Sequence, residues 1–239
     1  MKLLVVNVNT TQAMTDLIGQ SARQVASENT EIIPLTPRFG AESVEGNFES
    51  YLSAVGVMDC VQQYQGSFDA IIQAGYGEHG REGLQELFNV PVIDITEAAA
   101  STAIFLGHQY SVITTLDRAV PLIENRLLLA GFERRCASVR ATGLGVLELE
   151  ADSERAINAI IQESLRAINE DKAEVICLGC GGMSDLQRRV QEATGVPVID
   201  GVTAAVKIAE SLVQLGLQTS KIRTYAQPHK KKIAMWPLG

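Results

Sequence analysis

The sequence is short of the residues that staple a chain, cross a membrane or grip nucleic acid. Four cysteines in 239 residues are too few for a disulfide framework in a chain this long. The thiols are therefore expected to be free and the protein to be cytoplasmic. No apolar run approaches the roughly 18 residues that span a bilayer. The start, Met1–Asn9, has one Lys and a short apolar stretch. It lacks the apolar core of a leader peptide and reads as a first strand. Basic charge is also scarce: 20 Lys and Arg stand against 28 Asp and Glu, a net charge of -8. Such a surface repels a phosphate backbone, so neither a nucleic-acid nor a membrane partner is expected. The one basic run, Lys230-Lys231-Lys232 in the tail Gln227–Gly239, reads as a solvated segment. No P-loop, dinucleotide glycine pattern, zinc spacing or nucleophile elbow occurs, and the three histidines (His79, His108, His229) are scattered.

What is present is an ordinary globular composition, with 46% apolar and 20% charged residues. At about 150 residues per domain the length suits one large domain or two small ones. Short apolar runs alternate with helical stretches throughout. The first half reads as strands at Leu3–Val8, Glu31–Leu35, Asp69–Ala74 and Val90–Ile95. Helices are expected at Ala13–Ser27, Ser53–Gln65, Arg81–Phe88 and Glu97–Leu106, with residues 38–50 as a loop. The second half reads as strands at Tyr110–Thr114, Ala137–Arg140, Glu174–Leu178 and Val196–Ile199. Its expected helices are Ala119–Ala130, Ser153–Glu170, Ser184–Ala193 and Thr203–Leu215. This alternation predicts an α/β fold with parallel sheets flanked by helices.

The two halves repeat one another. Ala70–Gly75 overlies Val175–Cys180 at an offset of 105 residues, and Asn9-Thr10 overlies Thr114-Thr115 at the same offset. Val90-Pro91-Val92-Ile93-Asp94 overlies Val196-Pro197-Val198-Ile199-Asp200 at 106, and an Ala-rich helix follows each. The repeat predicts two pseudo-symmetric lobes, residues 1–98 plus 205–239 and residues 99–204. Ligands of parallel sheets sit beyond the carboxyl ends of the strands, so the active site is expected in the cleft between the lobes.

Cys180, in Leu178-Gly179-Cys180-Gly181-Gly182-Met183, follows a strand and precedes a helix. The neighbouring N–H groups favour a thiolate there, and the glycines allow close approach of a ligand. Its C-x-x-C spacing with Cys177 also admits a redox or metal reading, which is set aside because Cys177 falls inside the strand and no second such pair exists. Cys60 and Cys136 read as structural. Asn9 and Thr10, mirrored by Thr114 and Thr115, can cap helices and can also bind a carbonyl or carboxylate. His79, in the loop Gly77-Glu78-His79-Gly80, is a candidate acid/base near the cleft mouth.

Several stretches together resemble the Asp/Glu racemase superfamily, above all its hydantoin and allantoin racemase branch. They are Asn7-Val8-Asn9-Thr10-Thr11, Ser43-Val44-Glu45-Gly46, Thr114-Thr115 and Leu178–Met183. Pro197–Val202, Ala204-Ala205-Val206 and Leu217–Lys221 complete them, so the resemblance runs nearly end to end. It implies a racemase that needs no cofactor and uses two thiols, one removing the proton α to a carbonyl and the other returning a proton on the opposite face. Cys180 matches the second thiol. Where the family carries the first, typically in Cys-Phe-Gly-Asp-Pro-Gly, this chain reads Gly75-Tyr76-Gly77-Glu78-His79-Gly80.

Three readings follow from Gly75. The chain is a racemase in which His79 or a water serves the second face, a one-base lyase of the arylmalonate decarboxylase type, or a non-catalytic binder of a small ligand. A cleft of the family's geometry would let Gly75→Cys raise racemisation by orders of magnitude. Tyr76, Gly77, Gly181, Gly182, Gly201 and Val202 complete the expected substrate-binding set with Asn9, Thr10, Thr114 and Thr115. The substrate is expected to be a small molecule and the enzyme a homo-oligomer.

Overall fold

The computed structural model describes residues 1–235, without the side chains at positions 150, 182, 184 and 185. Residues 236–239 of the expected tail lie outside the described residues. Strands β1 (Lys2–Asn7), β2 (Glu31–Leu35), β3 (Ala70–Ala74) and β4 (Val92–Asp94) form one sheet in the order β2-β1-β3-β4. Strands β5 (Tyr110–Thr114), β6 (Cys136–Ala141), β7 (Val175–Leu178) and β8 (Val198–Asp200) form the other in the order β6-β5-β7-β8. All pairs are parallel. The two orders are the same order read through the repeat, as the sequence predicts.

The central strands are apolar on both faces because both faces are covered. Leu3 and Val5 of β1 pack with Met14 and Ile18 of α1 (Gln12–Val25) on one side. Leu4 and Val6 pack with Val57 and Val61 of α2 (Asn47–Gln63) and Leu84 of α3 (Arg81–Leu87) on the other. In the second lobe Ile176 and Leu178 of β7 pack with Ile157 and Ile160, which lie on α7 (Ser153–Asp171). Val175 and Cys177 face Ile123 and Leu127 of α5 (Val120–Ala130).

Two helices cross between the halves. Helix α4 (Ile95–Ala103) follows the first sheet yet packs against β7 and α5 of the second. Helix α9 (Gly201–Gln214) follows the second sheet yet packs against α1, β3 and β4 of the first. The two also pack against each other. Each starts from a repeated Val-Ile-Asp: Asp94 Oδ1 accepts from Glu97 N–H at 2.8 Å, and Asp200 accepts from Val202 and Thr203 N–H at 3.2 and 2.8 Å. Such caps satisfy N–H groups that the first turn of a helix leaves unpaired. Gly201 permits the close approach, since a Cβ there would lie 2.5 Å from the Ile95 carbonyl oxygen.

Three local expectations needed adjustment. The loop at 38–50 ends early, because α2 begins at Asn47. The helix after Cys180 opens as a 3-10 turn, Gly181–Leu186, before α8 (Gln187–Thr194). A six-residue helix, α6 (Val146–Ala151), precedes α7; it is too short to show a helical period in the sequence. Among the described residues no helix is long and apolar enough to cross a membrane. Lys230, Lys231 and Lys232 are exposed.

Glu210 of α9 ties the chain's far ends together. Its carboxylate accepts from Ser27 N–H at 2.7 Å, Thr30 Oγ1 at 2.6 Å and Lys207 Nζ at 2.8 Å. Burial alone would raise its pKa, but these donors outweigh burial and hold it down to about 2. A depressed carboxyl stabilises the fold above the ordinary value of 4.5 and loses that contribution as pH falls toward 2. Glu210→Ala is expected to cost about 2–3 kcal/mol at neutral pH. Urea unfolding curves should show this difference shrinking between pH 4.5 and the native value, whereas an unchanged midpoint at pH 7 would remove Glu210 as a tie.

Candidate active site

The carboxyl ends of β1, β3, β5 and β7 converge on one cavity of about 50 Å³ between the sheets. Asn9, Gly75, Tyr76, His79, Thr114, Thr115, Cys180 and Gly181 line it, as do Val44 and Glu45 from the segment before α2. This brings together most of the site residues expected from sequence.

Asn9 is buried and its role as a donor follows from its partners. Its Oδ1 accepts from Asn7 Nδ2 at 2.8 Å and from Thr11 N–H at 3.0 Å. Its Nδ2 makes no hydrogen bond among the described residues. On the opposite lobe Thr114 Oγ1 donates to the Gly179 carbonyl at 3.3 Å. Thr115, also buried, has a hydroxyl with no partner among the described residues. The two lobes thus offer one amide and one hydroxyl across the cavity.

Cys180 sits at the start of the 3-10 turn, with its carbonyl accepting from Met183 N–H at 3.1 Å. It packs at the boundary between the core of the first lobe and that of the second. Cys177 belongs to the other face of β7, fully buried against Tyr110, and burial pushes its thiol well above the ordinary range. The C-x-x-C spacing therefore describes two separate thiols. Burial likewise raises Cys60 to about 11 and Cys136 to about 12, which leaves both inert as nucleophiles near neutrality.

The wall where the first thiol is missing is filled. A Cβ on Gly75 would lie 2.4 Å from Val8 Cγ1 and 2.6 Å from His79 Cδ2. His79 is 3% exposed, and burial, first among the causes, lowers its pKa to about 4. Its Nε2 lies 3.1 Å from the Tyr76 carbonyl oxygen and its Nδ1 3.1 Å from Ser50 Oγ. Both ring nitrogens are engaged and a carbon edge faces Gly75. The ring lines the cavity and fills the space beside Gly75.

Other expected binders lie off the cavity. The Gly77 N–H donates to Thr96 Oγ1 at 2.9 Å and is not available to a carbonyl. Thr10 donates its N–H to the Ala41 carbonyl at 3.0 Å and lies outside the lining. Gly201 and Val202 are buried at the start of α9, Gly201 against Ile95 and Val202 in the core. Gly182 lies in the 3-10 turn. Tyr76 lines the cavity, but its hydroxyl is buried without a hydrogen-bond partner among the described residues and burial holds it neutral.

The sequence reading passed over Glu78, three residues after Gly75. Its Oε1 accepts from Gly80 N–H at 2.9 Å and its Oε2 lies 3.2 Å from Arg126 Nη1. Burial, followed by a hydrogen bond and charge repulsion from Glu82, pushes its carboxyl up to about 7. Glu82 moves the other way, to about 2, because Glu78 and Arg126 outweigh its own burial. The two glutamates are thus pushed in opposite directions, Glu78 up and Glu82 down. The signal available in the sequence was the i,i+4 pair of glutamates, Glu78 on the turn that carries Gly75 and Glu82 in the first turn of α3.

Two like α/β lobes that meet at a small cavity lined by Cys180, Asn9 and Thr115 are the fold of solved racemases, a class of isomerase. The chain belongs to the Asp/Glu/hydantoin racemase family, whose sequence model matches residues 3–209. It is 70% identical to the allantoin racemase of Pseudomonas fluorescens, whose crystal structure matches with a TM-score of 0.96 over 98% of this chain and 99% of that one. It is 42% identical to the allantoin racemase of Klebsiella pneumoniae, with a TM-score of 0.94 over 98% and 96%. It is also 42% identical to the hydantoin racemase of Rhizobium meliloti over 98% of each chain. The lyase and binder alternatives are not favoured by these likenesses.

The contacts around Gly75 set what a side chain restored there would meet. Gly75→Cys alone is expected to destabilise the protein by about 1–3 kcal/mol through overpacking, with no gain in racemisation. Thermal melts and polarimetry check this; a stable variant with faster racemisation would show that Val8 and His79 yield easily.

Proposed function

We propose that this enzyme racemises a five-membered ureide of the hydantoin or allantoin kind, moving the proton α to a ring carbonyl between Cys180 and Glu78. The relatives' substrates support the ring. The observation that carries the pairing is the Glu78 carboxyl, poised at about 7 on the turn whose thiol is missing, while both nitrogens of neighbouring His79 are engaged. A general acid or base works best when its pKa lies near the working pH.

The proton balance is simple. In one direction the Cys180 thiolate takes the α-proton and becomes a thiol, leaving an enolate whose charge spreads over the ring carbonyl. Asn9 Nδ2 and the Thr115 hydroxyl stabilise that oxygen as charge develops. Glu78, as the carboxylic acid, then delivers its proton to the opposite face and becomes a carboxylate. The reverse direction starts from the Cys180 thiol and the Glu78 carboxylate, so no metal or organic cofactor is needed for the proton balance. Glu78 is turned toward Arg126 and Gly80 N–H, outside the cavity lining. Delivery requires its carboxyl to swing inward or to act through one water.

The cavity of about 50 Å³ holds a few waters, whereas small-ligand clefts generally offer several hundred Å³. The structure is thus read as the closed form. We take the lobes as residues 1–98 with 205–239, and 99–204, parting to admit the ring. Glu45 Oε1, accepting from Val146 N–H at 2.9 Å, is a contact that opening must break. The reading also takes the enzyme as a cytoplasmic homo-oligomer, for which exposed Phe105, Leu128 and Leu129 offer apolar surface.

Proton NMR in D2O with one enantiomer of allantoin or a 5-substituted hydantoin, run beside polarimetry, tests the pairing. The wild type should exchange the α-hydrogen and lose rotation together. Glu78→Gln and Cys180→Ala should each lower racemisation by roughly 100- to 10,000-fold. The wild-type kcat/KM should rise with pH through about 7, the value to which Glu78 is pushed, and Glu78→Gln should lose that limb. Racemisation by Glu78→Gln at the wild-type rate would remove Glu78 from the mechanism.

A further inference from the structure

We propose that Arg126 is a positioning residue for this reaction: a guanidinium carried by the second lobe that holds the Gly75–Gly80 turn of the first lobe through Glu78. The inference rests on the reading of Glu78 as the second proton carrier.

Arg126 lies on α5 and its side chain is 2% exposed. Its Nε and Nη2 donate to Asp94 Oδ2 at 3.2 and 2.7 Å, and Nη2 also donates to Glu97 Oε1 at 2.6 Å. Its Nη1 reaches Glu82 Oε1 at 2.6 Å and Glu78 Oε2 at 3.2 Å. One planar fork therefore joins three elements of the chain's first half: the turn after β3, helix α3, and the start of α4. Lysine, a single ammonium, cannot reproduce that geometry.

The charge count gives the cluster its use. Glu78 faces Glu82 of α3 and Arg126 of α5, and Arg126 also binds Asp94 and Glu97 at the start of α4. Arg81 is the second cation, 2.9 Å from Glu97 Oε2 and 3.3 Å from Glu82 Oε1. Four carboxylates against two guanidiniums leave an excess of negative charge, which the cluster relieves by keeping a proton. Asp94 is fully buried and Glu78 is the most exposed of the four, with 44% of its side chain accessible. Burial raises both Glu78 and Glu97; the retained proton is assigned to Glu78, the more exposed of the two and adjacent in sequence to cavity-lining His79. Arg126 opposes its retention: burial and Glu82 raise the Glu78 carboxyl, and the Arg126 charge lowers it. An opposite charge this close typically lowers a carboxyl by about 1–3 pH units.

Arg126→Gln removes the charge, so the acidic limb of kcat/KM should move up by about 1 unit or more. Arg126→Lys keeps a charge and loses the fork. It should leave the limb near its wild-type place, lower kcat at least tenfold and hardly change KM. Arg140→Gln is the control. Arg140 binds Glu163, Glu170 and Asp171 within the second lobe, so its loss should lower Tm without moving the limb. If Arg126→Gln does not fold, Arg126→Lys carries the test, and a wild-type kcat in that variant overturns the proposal. So does a limb that stays in place in Arg126→Gln while Tm falls as in the Arg140 control. If Glu78→Gln abolishes the limb and Arg126→Gln leaves it unmoved, only the role of Arg126 is lost. A limb that survives in Glu78→Gln overturns both.

Discussion

The crossing of α4 and α9 is the constraint on which the rest of the molecule depends. Each helix leaves the sheet that launched it and packs on the other. Alanines on α4 and Gly201 on α9 keep the two backbones close enough for a Cβ at Gly201 to collide with the Ile95 carbonyl. Neither lobe can then complete its core alone: Val202, Ala205 and Val206 belong to the first core although they follow the second sheet. This interlock turns the strand ends of both sheets toward one another, and the cavity is what remains between them. Parallel strands expose their catalytic loops at a single edge, so setting two such edges face to face gives a planar ring a wall on each side.

Within that frame the absence of a thiol at Gly75 is a set of fitted substitutions and not a gap. Val8 and His79 occupy the volume a side chain at 75 would need. His79 is bound by both nitrogens, so it braces the turn from Tyr76 to Ser50. Under the proposed pairing, chemical work on this side passes to a neighbouring carboxyl, Glu78, raised by burial and by Glu82 and lowered by Arg126. A carboxylate with an ordinary pKa would be a poor acid at neutral pH; burial beside Glu82 removes that difficulty.

Much of this was legible in the sequence because it is local or repeated. The two Val-Pro-Val-Ile-Asp stretches mark matching strands and caps, and the strand ends Asn9 and Thr114-Thr115 land on the cavity as their repeat positions require. The sheet order follows from the repeat once each half is read as one unit. What was not legible depends on contacts between distant residues. Nothing near Gly77 announces that Thr96 will take its N–H. Gly201 and Val202 look like a strand-end loop and turn out to start a buried helix. His79 looks like a solvated loop residue until Ser50, 29 positions away, is found beside it. Arg126 reads as one more polar position on an amphipathic helix, and only the fold shows four carboxylates around it.

The repeated aspartates show what duplication makes possible. Asp94 and Asp200 occupy equivalent places and begin equivalent helices. At Asp200 each of the two oxygens accepts from an N–H of α9, whereas at Asp94 one oxygen suffices for the cap and the other faces Arg126. A pattern copied for backbone reasons thus leaves a spare lone pair in one copy, and a charged network has been built on it there. The twofold relation of the lobes is therefore one of shape. In electrical terms the lobes differ among the described residues: the first carries a dense knot of carboxyls near its strand ends, and the second carries the Cys180 thiol. The planar intermediate of the proposed reaction, whose two faces are mirror images, would meet an enzyme whose two faces are not.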